Sequence, residues 1–482
     1  MPSRPAMMLG LLLAAIPNGL AAQERELSQP PEVPMAGAFD NLVSGDAPAS
    51  GAAWWRDFND PVLDALIETA MRGNFTIAEA AARLDRARAG IRAADGTRLP
   101  AIGVDAEAGY ARLSREDPQL GPAAQLPGFE RNQDRYAATI GATWELDLFG
   151  RLGARSREAR ADALASAAGL EAARLAVTTE IAERYITLRL LQQRRGVAEA
   201  RAAALGELAR LSALRVERGV SAPVERDRLL AELETARAVV PALQTAIEEQ
   251  YARIDVLLAR EIGTSRRDLA APTGLPAARV IDLSATPAEL LGRRPDILAA
   301  YATLVARDAG VAAAQRDRLP RFNLGGLIGT IAGAINPLFG AAAFTAQGSG
   351  GVSYTASDGG RSRAAVDAAR AEVDEATAAY QRTVLSAIAD VEAAGAARDG
   401  AAARAAGLRE AERRLEATLD AVRLGEARGA VALVDVLDVD RRLQDARDAR
   451  LVAEADEALA SIALVRALGG AGASQTELAG AD

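Results

Sequence analysis

Residues 136–148 read YAATIGATWELDL, and the fold turns on how that stretch is interpreted. The even positions Tyr136, Ala138, Ile140, Ala142, Trp144, Leu146 and Leu148 are apolar, and Thr139, Gly141, Thr143, Glu145 and Asp147 stand between them. Side chains of a strand point alternately to opposite faces, so this period of two predicts a strand with one apolar and one polar face. Its length suits a tilted crossing of a bilayer. A weaker alternation precedes it, with Ile102, Val104, Ala106, Ala108 and Tyr110 set against Gly103, Asp105, Glu107 and Gly109. Residues 114–134 between the two are polar and carry Pro118, Pro122 and Pro127, as a loop does. A half-buried sheet of a soluble protein would alternate in the same way, so the surroundings have to decide.

Outward from this hairpin the chain repeats itself. Arg98-Leu99-Pro100 returns as Arg318-Leu319-Pro320, Phe149-Gly150-Arg151 as Gly359-Gly360-Arg361, and Arg218-Gly219 as Arg428-Gly429, in the same order. An ordered set of echoes indicates a duplicated unit. The second unit has its own strand candidates, Phe322, Leu324, Gly326 and Ile328, then Val352, Tyr354 and Ala356, separated by an unusually apolar stretch, 331–350. Residues 151–217 and 361–428 contain no proline, and each could run as one helix of roughly 95 to 100 Å. Val366, Val373 and Tyr380 fall at heptad spacing, followed by Val384, Ile388 and Val391, which predicts a coiled-coil seam. Gly219 and Gly429 stand where these helices should stop, since glycine takes the left-handed cap conformation at little cost. Ser221 is a cap candidate for a returning helix that opens at Pro223 and should bend at Pro241.

Composition removes many functions. The 482 residues include no Cys, no His and no Lys, so thiolate, imidazole and Schiff-base chemistry are absent, as are the usual zinc and iron–sulfur ligands. No motif pairs a catalytic acid with a base; no enzymatic role and no cofactor are expected. A net charge of -9 argues against nucleic-acid binding. Arg4, the apolar run 7–16 and the small residues Ala21 and Ala22 have the three parts of a secretory signal. Beyond it, no uninterrupted apolar run is long enough for a transmembrane helix. Four strands per chain fall short of the eight or so that a closed membrane barrel needs, and open strand edges are not tolerated in lipid. An exported chain of this kind must pool its strands with other copies.

The sequence resembles the outer-membrane efflux protein family, TolC-like, in its multidrug and metal efflux branch. The resemblance rests on Trp54-Trp55 with Phe58, Asp60-Pro61 and Leu63; Leu99-Pro100; the run from Trp144 to Arg151; Arg294-Pro295-Asp296-Ile297; Gly359-Gly360-Arg361; Gly429 with Val436-Leu437-Asp438; and Leu468-Gly469-Gly470. It implies a mainly α fold with a small β part. Duplicated long-helix coiled-coil hairpins would form a trimeric α-barrel, and four strands per chain would enter a shared twelve-stranded transmembrane β-barrel. The implied partners are two identical copies, a periplasmic adaptor (membrane fusion) protein, an inner-membrane pump of the RND type and outer-membrane lipid. The implied function is the outer-membrane channel of a tripartite efflux system exporting drugs, metal ions or other small molecules. A type I secretion duct and a trimeric coiled-coil stalk or adhesin are the alternatives.

The expected segments are a signal peptide, 1–22; an extended stretch, 23–53; a first repeat, 54–283, with its hairpin at 101–148 and tip near 219; a second repeat, 284–468, with its hairpin at 321–357 and tip near 429; and a tail, 469–482. By the resemblance, Gly219, Val220, Ser221, Gly429 and Ala430 face the adaptor. Asp420 and Arg423, one helical turn apart near the second tip, with Glu416 a turn earlier, are the implied periplasmic gate; an ordinary solvated helix face shows the same spacing. Asp147, Gly150 and Arg151 read as a structural link between strand and helix, and Arg294, Pro295 and Asp296 as a helix start with Asp296 capping. Many members of this branch carry a lipidated Cys after the signal. This chain has none, so it is expected to be held in the outer membrane by its barrel, with its helical part in the periplasm. Aromatic residues are only 4%, which predicts a thin interfacial girdle.

Overall fold

The computed structural model describes residues 30–41, 53–114, 127, 129–276 and 286–470. The expected signal peptide, most of the extended stretch after it and the tail beyond residue 470 lie outside these. In chain order the elements are α1 (Pro61–Gly73), α2 (Phe75–Gly96), β1 (Ala101–Arg112), β2 (Asn132–Leu146), α3 (Arg151–Glu217), α4 (Pro223–Leu257) and α5 (Thr264–Leu269). They continue with α6 (Pro287–Arg293), α7 (Pro295–Arg316), β3 (Arg321–Ala332), β4 (Phe344–Ser353), α8 (Arg361–Ala427) and α9 (Leu433–Ala467). Corresponding elements match in length: α3 and α8 have 67 residues each, α4 and α9 have 35, and β1 and β3 have 12.

The chain divides into two compact units, one of Met1–Glu32, Ala94–Glu158 and Val305–Asp374, the other of Val33–Ala93, Ala159–Leu304 and Glu375–Asp482. The first holds one antiparallel sheet in the order β1-β2-β3-β4. Strand β4 starts at Phe344, well ahead of the Val352–Ala356 segment expected from the sequence, and Tyr354 and Ala356 lie past its end. Its sequence is rich in glycine, so the alternation leaves few side chains to read. The expected long loop between β3 and β4 shrinks accordingly to residues 333–343.

The second unit is helical. Its core joins Leu63 and Ile67 of α1, Ile181 and Tyr185 of α3, Ile247 and Ile254 of α4, Val384 and Val391 of α8, and Ile462 of α9, all essentially buried. Each such side chain contributes about 2 kcal/mol by leaving water. Of the expected α8 seam, Tyr380, Val384 and Val391 are buried in this core, and Val366 is buried in the first unit. Trp54, Trp55 and Phe58 enter the same core, and Asp60 caps α1 by accepting from the Val62 and Leu63 amides while its other oxygen accepts the Tyr185 hydroxyl at 2.8 Å. A preceding strap is pinned to α8: the Asp40 and Asn41 amides and the Asn41 side chain all donate to Glu392, and Phe39 is buried.

Among the described residues one helix, α7, is long and apolar enough to cross a membrane. Its Ile297, Leu298, Leu304 and Ala306 are buried inside the protein. Helix α4 runs on through Pro241.

Candidate functional site

The sheet has two chemically different faces. Residues directly paired across an antiparallel ladder share a face. One face is therefore read in rows: Trp144 with Leu324; Ile102, Ala142 and Gly326; Val104, Ile140, Ile328 and Ala346; Ala106, Ala138, Thr330 and Phe344. Apart from Thr330 these rows are apolar, and most of their side chains are open, with Val104 79% exposed and Phe344 64%. The few aromatic residues gather at its ends, Trp144 and Phe322 towards the helices, Tyr136 and Phe344 towards the turns. Eight strand residues separate Trp144 from Tyr136, about 26 Å, close to the ~25 Å apolar band of a membrane barrel. The other face carries Thr143 and Ser349, Gln347, Asp105 with Thr139 and Thr345, and Glu107, which pairs with Arg135 at 3.5 Å. Among the described residues neither the free side of β1 nor that of β4 meets another strand. A sheet exposed on both faces and open at both edges is an incomplete object.

The junction from β2 into α3 is fixed by charge. Arg151 grips Glu145 through two bonds of 2.7 and 2.9 Å and lies 3.6 Å from Asp317. Asp147 accepts from the Leu152 and Gly153 amides, capping α3, so β2 ends at Leu146, two residues before the apolar alternation does. Asp358 does the same for α8. Its carboxyl accepts from the Ser362 hydroxyl and amide and from the Gly360 amide, which hold it below the usual carboxylate range.

The two helical tips are built alike. The Gly219 amide donates to the Val216 carbonyl and the Val220 amide to that of Arg215; Gly429 and Ala430 repeat the pattern with Glu426 and Gly425. This closure needs a left-handed residue, and Gly219 and Gly429 have φ of 71° and 73°. The residue preceding α4 is Ala222, with no side-chain cap; the Ser221 cap expected from the sequence is not formed, because the chain needs an extended residue directly before Pro223.

Behind the second tip, α8 and α9 are zipped together. Leu419, Val436 and Leu443 form an apolar cluster there. Arg409 meets Glu454 and Glu457, Arg447 meets Glu412 and Glu416, and Arg423 lies 3.4 Å from Asp440. Helix α9 is also held by α3, through Arg194 to Asp448 at 2.7 and 2.9 Å and Arg201 to Asp445 at 3.0 Å. These pairs border a cleft of about 1150 Å³ between α3, α4 and α9 that is lined by Glu225, Arg228, Glu232, Asp438 and Arg441.

A family model for the outer membrane efflux protein matches residues 66–260 and again 286–470, once for each half of the duplication. The chain belongs to the outer membrane efflux protein family. The pyoverdine export outer membrane protein OpmQ of Pseudomonas putida is 30% identical over 485 residues, covering 96% of this chain and 98% of that protein. The solved outer-membrane channel OprN superposes with a TM-score of 0.81 at 30% identity, covering 92% of this chain and 99% of that one. The open state of the Neisseria gonorrhoeae MtrE outer membrane channel gives 0.80 at 26% identity, with 92% and 97% covered. This efflux protein is thus an outer-membrane channel component with a periplasmic helical part.

In this efflux protein the residues singled out from the sequence separate into distinct settings. Arg151 pairs with Glu145 rather than with Asp147. Buried Arg294 forks onto Asp296, reaches Asp390, and donates to the Ala467 carbonyl at 2.8 Å and to that of Ala387, tying α7, α8 and α9 together. Burial works to lower its pKa, but the two carboxylates outweigh that and hold it above the ordinary arginine value. Asp296 also accepts the Ile297 amide at the start of α7, which Pro295 opens. Glu416 and Arg423 both bind α9, and Asp420 is exposed with no ion pair or hydrogen bond among the described residues. The α3–α9 clamps escaped the sequence reading: Arg194 and Asp448 are 254 positions apart, and nothing local marks them as partners.

Proposed function

We propose that three copies of this chain form one export channel, each lending four strands to a twelve-stranded barrel, with the helical tips closing its periplasmic end until an adaptor protein engages them. The apolar face with open edges carries this reading. In lipid every backbone donor and acceptor must be paired, so β1 of one copy has to meet β4 of the next. The apolar face then meets the acyl chains, and the face bearing Asp105 and Thr139 lines water. Both hairpin turns leave the same end of the sheet and face outside the cell; the end joined to the helices faces the periplasm. A stalk or adhesin has no need of such a sheet. The work of the chain in this reading is passage rather than catalysis, with small-molecule cargo handed over by an inner-membrane pump of the RND type. The role of OpmQ in pyoverdine export supports cargo of that size.

Closure in this reading belongs to the second hairpin. The α8–α9 zipper makes it one stiff body, the Arg194–Asp448 and Arg201–Asp445 clamps fix it to α3, and Asp420 is left for a cation outside its own chain. The tips at Gly219, Val220, Ser221, Gly429 and Ala430 receive the adaptor, whose contacts favour the open arrangement and shift the population towards it. Membrane fractionation followed by planar-bilayer recording tests this: the chain should appear in outer membranes and give a small conductance. Recovery as a soluble protein without channel activity would overturn it.

A further inference from the structure

The polar face of the sheet has an apolar anomaly at its turn end. Leu327 and Ile331 sit on the same face as Asp105, Thr139 and Gln347, and Ile331 is paired with Ala137. Ala137 is only 8% exposed and Ala343, the residue that extends this row into the β3–β4 turn, is also 8% exposed. In the adjacent row on the opposite face, Ala138 and Phe344 are open to solvent. The deepest burial at this end is thus on the polar side, at Ala137 and Ala343 with Ile331 half-buried between them, whereas Tyr136, Thr330 and Ala332 on the other face are only half-buried. The turn supplies a fitting cover: residues 332–344 carry no charge, and within them Leu338 is 8% exposed whereas its neighbour Phe339 is 86% exposed. Two short 3-10 turns, Pro337–Phe339 and Ala341–Ala343, fold the segment back on itself instead of letting it stand out in water.

We infer that the β3–β4 turn folds inward over the water-lined face, with Leu338 seated above Ile331 and Ala137, so that three copies form an apolar collar at the outer mouth of the channel. The inference rests on the proposed function, which makes this face the lumen and this end the outside. An apolar constriction disfavours hydrated ions, which would have to shed or squeeze their water, and lets molecules with an apolar skin slip past at lower cost. The collar therefore acts on exit as a filter for amphipathic and apolar solutes, separate from the tips.

The absence of native cysteine makes the test clean. Single Phe339→Cys, Leu338→Cys and Ile331→Cys variants are expressed in intact cells and treated with a membrane-impermeant maleimide. Phe339→Cys should react rapidly, and Leu338→Cys and Ile331→Cys about tenfold more slowly, because reaction requires the turn to open locally. Adding Leu338→Asp, or Leu338→Ser where the acidic variant fails to assemble, should raise the Ile331→Cys rate to near that of Phe339→Cys. Fast labelling of Ile331→Cys with the native turn, or a rate indifferent to Leu338, overturns the collar. Labelling of Phe339→Cys only after cell lysis overturns the underlying channel reading instead.

Discussion

Arg194 on α3 and Asp448 on α9 are joined by two parallel N–H···O bonds of 2.7 and 2.9 Å, and Arg201 and Asp445 repeat the link nearer the tip. The Arg194–Asp448 side chains are 32% and 39% exposed, so each clamp is worth only about 0.5 kcal/mol. Two such clamps in one copy amount to about 1 kcal/mol, several-fold in the population of an arrangement that breaks them. Combined Asp445→Asn and Asp448→Asn substitutions are expected to raise planar-bilayer conductance severalfold, and Asp420→Asn to raise it as well. Conductance that responds to the clamps and ignores Asp420 moves the closure away from Asp420.

The sheet register depends on one close approach. A side chain at Gly329 would place its Cβ 2.2 Å from the Ala138 carbonyl oxygen and 2.6 Å from the Thr139 Cα, whereas one at Gly348 would meet nothing within 4 Å. Backbone atoms in a paired ladder cannot step aside as a flexible side chain can. Gly329→Val should abolish oligomer assembly in outer membranes, read on gels of unheated membranes, and Gly348→Val should leave it intact.

How far the sequence announced this structure depends on the physical range of each signal. The alternation at Tyr136–Leu146 and the heptads from Val366 to Val391 are local, and both are legible because the periods of strand and helix differ. Glycines mark the tips for the same reason, since Gly219 and Gly429 answer a backbone demand at their own positions. Strand β4 is hidden because glycines at 348, 350 and 351 give its faces no contrast. The clamps and the Arg294 hub are hidden differently: their arginines look like any of the many on these helices until folding brings distant carboxylates and carbonyls to them. The motif containing Arg294 stands out in the sequence, but its reach to the end of α9 does not.

Arg294 offers a stability test. Removing the buried guanidinium takes the ion pairs from half-exposed Asp296 and Asp390 and the donor from the Ala467 carbonyl, at a cost of about 2 kcal/mol. Arg294→Ala should lower the temperature at which the oligomer dissociates. Arg294→Lys should recover only part of the loss, because an ammonium cannot fork onto Asp296 while reaching α9.

Asp105 sits in mid-strand on the polar face beside Thr139 and Thr345, and it has no ion-pair partner among the described residues, whereas Glu107 and Glu145 are paired with arginines. Three such carboxylates around a lumen favour cations. At ~0.01 M salt, where screening extends to about 30 Å, Asp105→Asn should reduce the cation-to-anion permeability ratio roughly two- to fivefold. The reversal potential in a salt gradient gives this directly, and Glu107→Gln is the contrasting variant.

Four strands with two open edges cannot close a barrel within one chain. Native mass spectrometry of the channel released from lipid nanodiscs counts the copies without assuming a structure. Three copies per particle are predicted, with no folded monomer retained in the bilayer; a membrane-embedded single chain, or a stable pair, would contradict the shared barrel.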